Sequence, residues 1–152
     1  MIDVDRAWAR VCQLEAFRGA KLSDFGIQVV TQSFSLTSQQ TSSVTPVNFP
    51  TKSIILNITA GARPNAAAAA QGYTDGLDLF RVVCQIEGGR YIIGSVAAMA
   101  STIFGKGIAS VFPARELPLL QNTKLLYTLT NLSTTTIDAD ISHHILTPLA
   151  VG

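Results

Sequence analysis

The most constraining feature of this chain is the run LDLFRVVCQIE, followed by Gly88-Gly89 and then RYIIGSV. Two stretches of β-branched and aromatic residues flank a pair of glycines, and paired glycines permit the positive φ angles of a primed two-residue hairpin turn. Such a turn sets Glu87 opposite Arg90 and pairs Ile86 with Tyr91, Cys84 with Ile93 and Val82 with Ser95. Side chains alternate along a strand, so Phe80, Val82, Cys84, Ile86, Tyr91 and Ile93 share one face, and Arg81, Val83, Gln85, Ile92 and Val96 share the other. The first face is expected on the core, because a slip of one residue would expose it.

The rest of the segment from Thr51 to Thr147 also reads as strands. KSIILNIT is a β-branched run, and GARPNAAAAAQGYTDG after it reads as a long loop with room for one helical turn. In IASVFPARELPLLQNT, Pro113 and Pro118 exclude a central strand throughout, so this segment is expected to cross between sheets. KLLYTLTN and TTIDADISHHIL are expected to form a hairpin around Asn131 to Thr134. Leu125, Tyr127, Leu129, Ile137, Ala139, Ile141 and Ile145 then point inward, and Asp138, Asp140, Ser142 and His144 outward. Seven or eight short strands separated by turn signals suit a mainly β fold, a β-sandwich or jelly roll, rather than βαβ units.

The N-terminal third has a different texture. Val4, Ala7, Trp8, Val11, Cys12 and Phe17 recur near a 3.6-residue period, which predicts an amphipathic helix over 3–17. Asp3 and Asp5 sit near its start, where carboxylates favour the helix dipole, and Gly19 stands where a C-terminal stop belongs. From Gly26 the period becomes two, and IQVVTQSFSLT carries apolar residues on both parities, as a strand covered partly on both faces does. Residues 37–47, TSQQTSSVTPV, hold no charge and no large aromatic and cannot make a core of their own. They read as a surface loop or as an extended arm laid on a neighbouring subunit. The expected organisation is therefore residues 1–50 as helix, strand and arm, and residues 51–152 as a β-sandwich body.

Charge narrows the classes of partner. Only 14% of the residues are charged, against about 25% in an average soluble domain, so part of the surface is expected to be covered by other protein in a dimer or trimer. A net charge of +1 with scattered basic residues gives no stripe for a phosphate backbone, and nucleic acid is not an expected partner. MIDVDRAWAR lacks the basic and apolar regions of a signal peptide. YIIGSVAAMASTIFG is interrupted by Ser95, Ser101 and Thr102 and is shorter than the ~18 residues of a spanning helix, so no membrane anchor is expected. Cys12 and Cys84 lack metal or redox spacing and are expected as buried free thiols.

No residue pattern points to catalysis, a cofactor or a metal. His143 and His144 face apart in a strand, and His144 stands four positions from Asp140, roughly 13 Å at ~3.3 Å per residue. Asp75 and Asp78 lack the other oxygen ligands of a calcium loop and suit a turn. Gly105-Lys106-Gly107 lacks the rest of a phosphate-binding loop, and Cys12 beside Trp8 lacks an activating base.

VFPARELPLLQNTKLLYTLTNLS and TTIDADISHHIL, preceded by the N-terminal arm, resemble the auxiliary virion proteins of tailed bacteriophages, such as capsid decoration (cement) proteins and related jelly-roll subunits. The likeness covers mainly residues 77–147 and rests on Thr-rich strands, an Ala/Ser/Gly-rich loop and low charge. It implies a non-enzymatic virion protein, assembled in the host cytoplasm, that bridges major capsid subunits without a cofactor. The alternatives are another virion part, in the baseplate, neck or tail-fibre attachment, or a carbohydrate-binding sandwich using Trp8, Tyr73, Tyr91 and Tyr127.

Overall fold

The computed structural model describes residues 4–14, 17–42, 44–64, 76–89, 91–104 and 117–149. Helix α1 (Val4–Val11) and a 3-10 turn (Leu22–Asp24) precede β1 (Phe25–Leu36), β2 (Thr45–Phe49) and β3 (Ser53–Pro64). A second 3-10 turn (Gly76–Asp78) leads to β4 (Phe80–Ile86), β5 (Tyr91–Met99), the short helix α2 (Ala100–Phe104), β6 (Leu117–Leu119), β7 (Thr123–Asn131) and β8 (Ile137–Pro148).

The strands form two four-stranded antiparallel sheets, ordered β1-β8-β3-β6 and β2-β7-β4-β5. First pairs with last, second with seventh, third with sixth and fourth with fifth, while β3·β8 and β4·β7 complete the sheets. This is a long antiparallel ribbon rolled into a sandwich, the strand order of a jelly roll. The expected mainly β sandwich is therefore the fold.

The expected hairpin of the last two long strands does not form: β7 lies in one sheet and β8 in the other. Each strand has one largely apolar face, broken by Tyr127 and Asn131 on β7 and by His143 on β8, and facing sheets bury both faces across a shared core, which pairing within one sheet would not do. Leu125, Tyr127, Leu129, Ile137, Ala139, Ile141 and Ile145 point into that core as their parity requires. Phe34, Leu36, Val47, Phe49, Ile55, Ile58, Phe80 and Val82 fill it from the other strands.

The Gly88-Gly89 hairpin exists with a different turn. Cys84 pairs with Ile93 as expected, but Gln85 takes Tyr91 and Val82 takes Ala98, with shifts of register on both sides of Cys84. The Gly89 amide donates to the Ile86 carbonyl at 2.9 Å, so Glu87 and Gly88 are the central turn residues, and of the two glycines Gly88 alone has positive φ, +69°. Tyr91 consequently leaves the core face and is 46% exposed. Strand β3 runs on through Gly61, Ala62, Arg63 and Pro64, expected as loop, because their backbones continue the ladder to β8. Pro118 sits in β6, a three-residue edge strand, and the chain then crosses to β7 in the other sheet, while Pro113 lies outside the described residues.

Residues 25–49 belong to the sandwich rather than to an extension: β1 and β2 each supply an edge strand to one sheet. The described residues 37–42 and 44–47 do not project. The Thr37 amide donates to Gln40 Oε1 at 2.9 Å, Gln39 takes φ +54°, and the Ser42 amide donates to the Leu129 carbonyl at 2.8 Å. The segment thus turns on itself and returns along β7, where Thr41 bridges Thr130, and Thr45–Val47 enters β2.

Helix α1 ends at Val11, earlier than its periodicity predicts, and Gly19, with φ +80°, serves a separate turn closed by the Ala20 amide on the Phe17 carbonyl. The helix covers the outer surface of the first sheet. Ala7, Val11, Phe17, Phe25, Ile54, Leu56 and Leu146 form this second core, and Trp8 packs on Phe25 with ring centroids 5.0 Å apart. Beyond it β1 is open: Ile27 is 64% exposed and Val29 51%, contrary to the expected two-sided cover. Ile27 and Val29 share the outer face with Phe25, where the helix cluster stops; on the inner face Gln28 is exposed as well, because β2 across the sandwich has only five residues against the twelve of β1.

Candidate functional site

Polar chemistry gathers at the centre of the sandwich. Tyr127 on β7 and His143 on β8 face each other across the two sheets, both fully buried, with Tyr127 Oη 2.7 Å from His143 Nε2. His143 Nδ1 lies 2.9 Å from the Val30 carbonyl oxygen, which can only accept, so Nδ1 carries the proton and Nε2 accepts from the tyrosine hydroxyl. The Tyr127 oxygen in turn takes part in a hydrogen bond with the thiol of Cys84, its cross-strand neighbour on β4. Phe34 and Phe49 pack edge-on against Tyr127 and His143.

Burial holds all three groups neutral. It lowers His143 to about 4, although the Val30 carbonyl acts the other way, and the neighbouring His144 adds a smaller downward push. It raises Cys84 to about 12, the Tyr127 hydroxyl offsetting part of the rise, and it raises Tyr127 well above the usual phenol range, helped by Cys84. With both ring nitrogens engaged and packed in aromatic rings, His143 has no lone pair to offer a metal or a substrate. The cluster pins one sheet to the other.

His144, Asp138 and Asp140 project from the opposite, outer face of β8. Ser33 Oγ donates to Asp140 Oδ1 at 2.6 Å, and the Thr31 and Ser142 hydroxyls are 2.9 Å apart, so the polar side chains of β1 and β8 pair across the strands. His144 lies level with Val29 on one side and Asn57 on the other. Its Nδ1 and the Asn57 Oδ1 are both buried without a hydrogen-bond partner. Among the described residues no group of three His, Cys, Asp or Glu side chains is placed to hold a metal ion.

Asp78 closes the 3-10 turn before β4, in keeping with a turn role, while Asp75, Tyr73 and Gly105-Lys106-Gly107 lie outside the described residues. Cys84 is buried as expected, but Cys12, just past the end of α1, is only half-buried. No helix among the described residues is long and apolar enough to cross a membrane. An open groove of about 740 Å³ is lined by Asn48, Ile86, Leu120, Gln121, Asn122 and Thr123, with Lys124 and Glu87 3.7 Å apart at its wall.

The buried role of His143 is the one feature of the site that the sequence pattern hides. The signal was present, since His143 shares the parity of Ile141 and Ile145, but nothing in the sequence placed Tyr127 opposite it.

Comparison with known proteins finds no matching family model, no similar curated protein and no similar solved structure.

Proposed function

We propose that this protein is a non-enzymatic structural subunit that works by surface contact, and that it serves as a capsid decoration (cement) protein on the outside of a tailed-bacteriophage shell. The carrying observation is the distribution of apolar surface. Ile27, Val29, Val44, Leu120 and Leu149 each leave more than half of their surface exposed, in a chain with 14% charged residues. Ile27 and Val29 lie side by side on the outer face of one strand, and adjoining exposed apolar residues favour a partner that covers them. The jelly roll supports the same reading, since among its usual employments are viral shells, lectins and cupins. A cupin-like use needs free ligands inside the sandwich, and His143, the buried imidazole, is already bonded through both nitrogens. A lectin-like use leans on exposed aromatic platforms; Tyr127 is spent in the core and Trp8 packs on Phe25, which leaves Tyr91 as the exposed candidate among the described residues. A clamp that binds only the assembled shell stabilises it by mass action, so many weak contacts suffice.

The test is sedimentation of the purified protein with intact and empty phage shells, together with its copy number in purified virions by quantitative mass spectrometry. Co-sedimentation and hundreds of copies per particle are expected. A complement of about six or twelve copies, the number a ring at a symmetry axis provides, moves the protein to the neck or baseplate. Absence from particles combined with specific binding on a glycan array overturns the structural reading.

A further inference from the structure

We propose that strand β1 is the seam of a two-fold symmetric dimer, in which it pairs antiparallel with β1 of a second copy of this chain. The inference does not depend on the shell role. It begins from the sheet order, which leaves β1 at an edge with one row of backbone amides and carbonyls facing away from β8. Proteins that stay monomeric blunt such an edge with proline, lysine, a bulge or shortness. Two other edges here are treated in that way: β2 has five residues and contains Pro46, and β6 has three and contains Pro118. A third, β5, meets its neighbour through register shifts and runs into α2.

Strand β1 has none of these devices. It pairs with β8 in unbroken register from Phe25 to Leu36, and it contains no proline and no charged residue. Ile27, Gln28 and Val29 are all exposed although successive side chains point to opposite faces, so this part of the strand is open on both sides as well as along its edge.

The missing charge also selects the partner. From Phe25 to Thr51 the sequence holds no Asp, Glu, Lys or Arg, so two copies meet without like-charge repulsion, while a charged peptide finds no counter-charge on the strand. Asp140, one strand further in, is held by Ser33. Pairing along the full strand exchanges about 12 main-chain hydrogen bonds, within the ~10 ± 5 of a standard interface. A two-fold axis is the operator that brings an edge antiparallel to itself and closes the assembly at two subunits. It joins the two sheets that contain β1 into one continuous eight-stranded sheet, and sets Ile27 and Val29 of each copy against the strand of the other.

Analytical ultracentrifugation of the full chain tests this. The parent is expected as a dimer at tens of micromolar. The double variant Ile27→Lys, Val29→Lys is expected to be monomeric, with dimer dissociation constant raised by about 100-fold or more, since four lysines would crowd one seam. Both positions are exposed, so far-UV circular dichroism and thermal unfolding should match a monomeric parent, and Leu120→Lys, at an exposed site away from β1, should leave the dimer intact. Hydrogen exchange supplies a second reading that needs no variant: the β1 amides should become protected as protein concentration rises. A monomeric parent, a trimer, or a double-lysine variant that remains dimeric overturns the proposal.

Discussion

Tyr127 donates a 2.7 Å hydrogen bond to His143 across the interior of the sandwich, joining β7 of one sheet to β8 of the other. Each residue completes the other in a region otherwise filled by Phe, Ile and Leu, where an unpaired hydroxyl or imidazole would cost about 1–3 kcal/mol. Tyr127→Phe is therefore expected to lower stability by about that amount while leaving the fold intact, because it strands the His143 Nε2 atom. Equilibrium unfolding in urea measures the loss, and a neutral result would mean the bond is not formed in solution.

The same pair sets the response to acid. Burial holds folded His143 at about 4, below its ordinary value of 6.5, so the unfolded chain binds a proton that the folded chain refuses between those two values. Its contribution is fully present above pH 6.5 and is lost as pH falls toward 4, a change of about 3 kcal/mol by linkage. Unfolding curves across this range should show a loss in the parent that is reduced by nearly one proton's worth in His143→Gln. Parallel pH profiles for the two proteins would count against the buried, neutral imidazole.

Asn131, the last residue of β7, is a second buried pin. Its Nδ2 lies within 3.1 Å of the Leu36, Thr37 and Thr135 carbonyls, and its Oδ1 accepts from the amide and hydroxyl of Ser133. One side chain thus ties the start of the β1–β2 crossing to the β7–β8 crossing. Asn131→Ala is expected to cost about 2–4 kcal/mol, toward the upper end for single substitutions because several buried groups lose their partner together. Asn131→Asp, which keeps the acceptor and loses the donor, should recover little of it in the same unfolding assay.

The two glycines of the β4–β5 turn should prove unequal. Gly88 has φ +69° and Gly89 does not share that conformation. Gly88→Val is expected to cost about 1–3 kcal/mol through backbone strain. A Cβ on Gly89 would meet Ile86 at 3.5 Å, an ordinary contact, so Gly89→Ala should change stability by no more than about 0.5 kcal/mol. Equal melting shifts for the two variants would show that the turn is built differently.

The thiols should differ in the same sense. Cys84 is fully buried, and burial raises it to about 12, whereas Cys12 is half-exposed. An aromatic disulfide reagent should label one thiol in the native protein and both after denaturation. Rapid native labelling of Cys84 would indicate that the sheets open readily.

Alternation was the part of the fold most plainly written in the chain. It placed Leu125, Tyr127 and Leu129 on one face and Ile137, Ala139 and Ile141 on another, and every one of them is buried. It could not say whether those faces belong to one sheet, because parity is local while the choice of partner strand is made by the whole apolar surface. For the same reason the apolar residues of both parities in β1 gave a two-sided burial that the neighbouring elements are too short to provide.

By itself, then, the sequence determined the material: a mainly β chain, with the inward faces of β7 and β8 assigned residue by residue, Pro118 confined to an edge, a glycine turn after β4 and a low content of charge. Only the tertiary structure decided the roll of first strand against last, the return of Thr41 and Ser42 along β7, and the meeting of Tyr127 with His143. These are contacts between residues distant in the chain, fixed by which arrangement of two sheets buries all the apolar faces at once, and no local period carries that information.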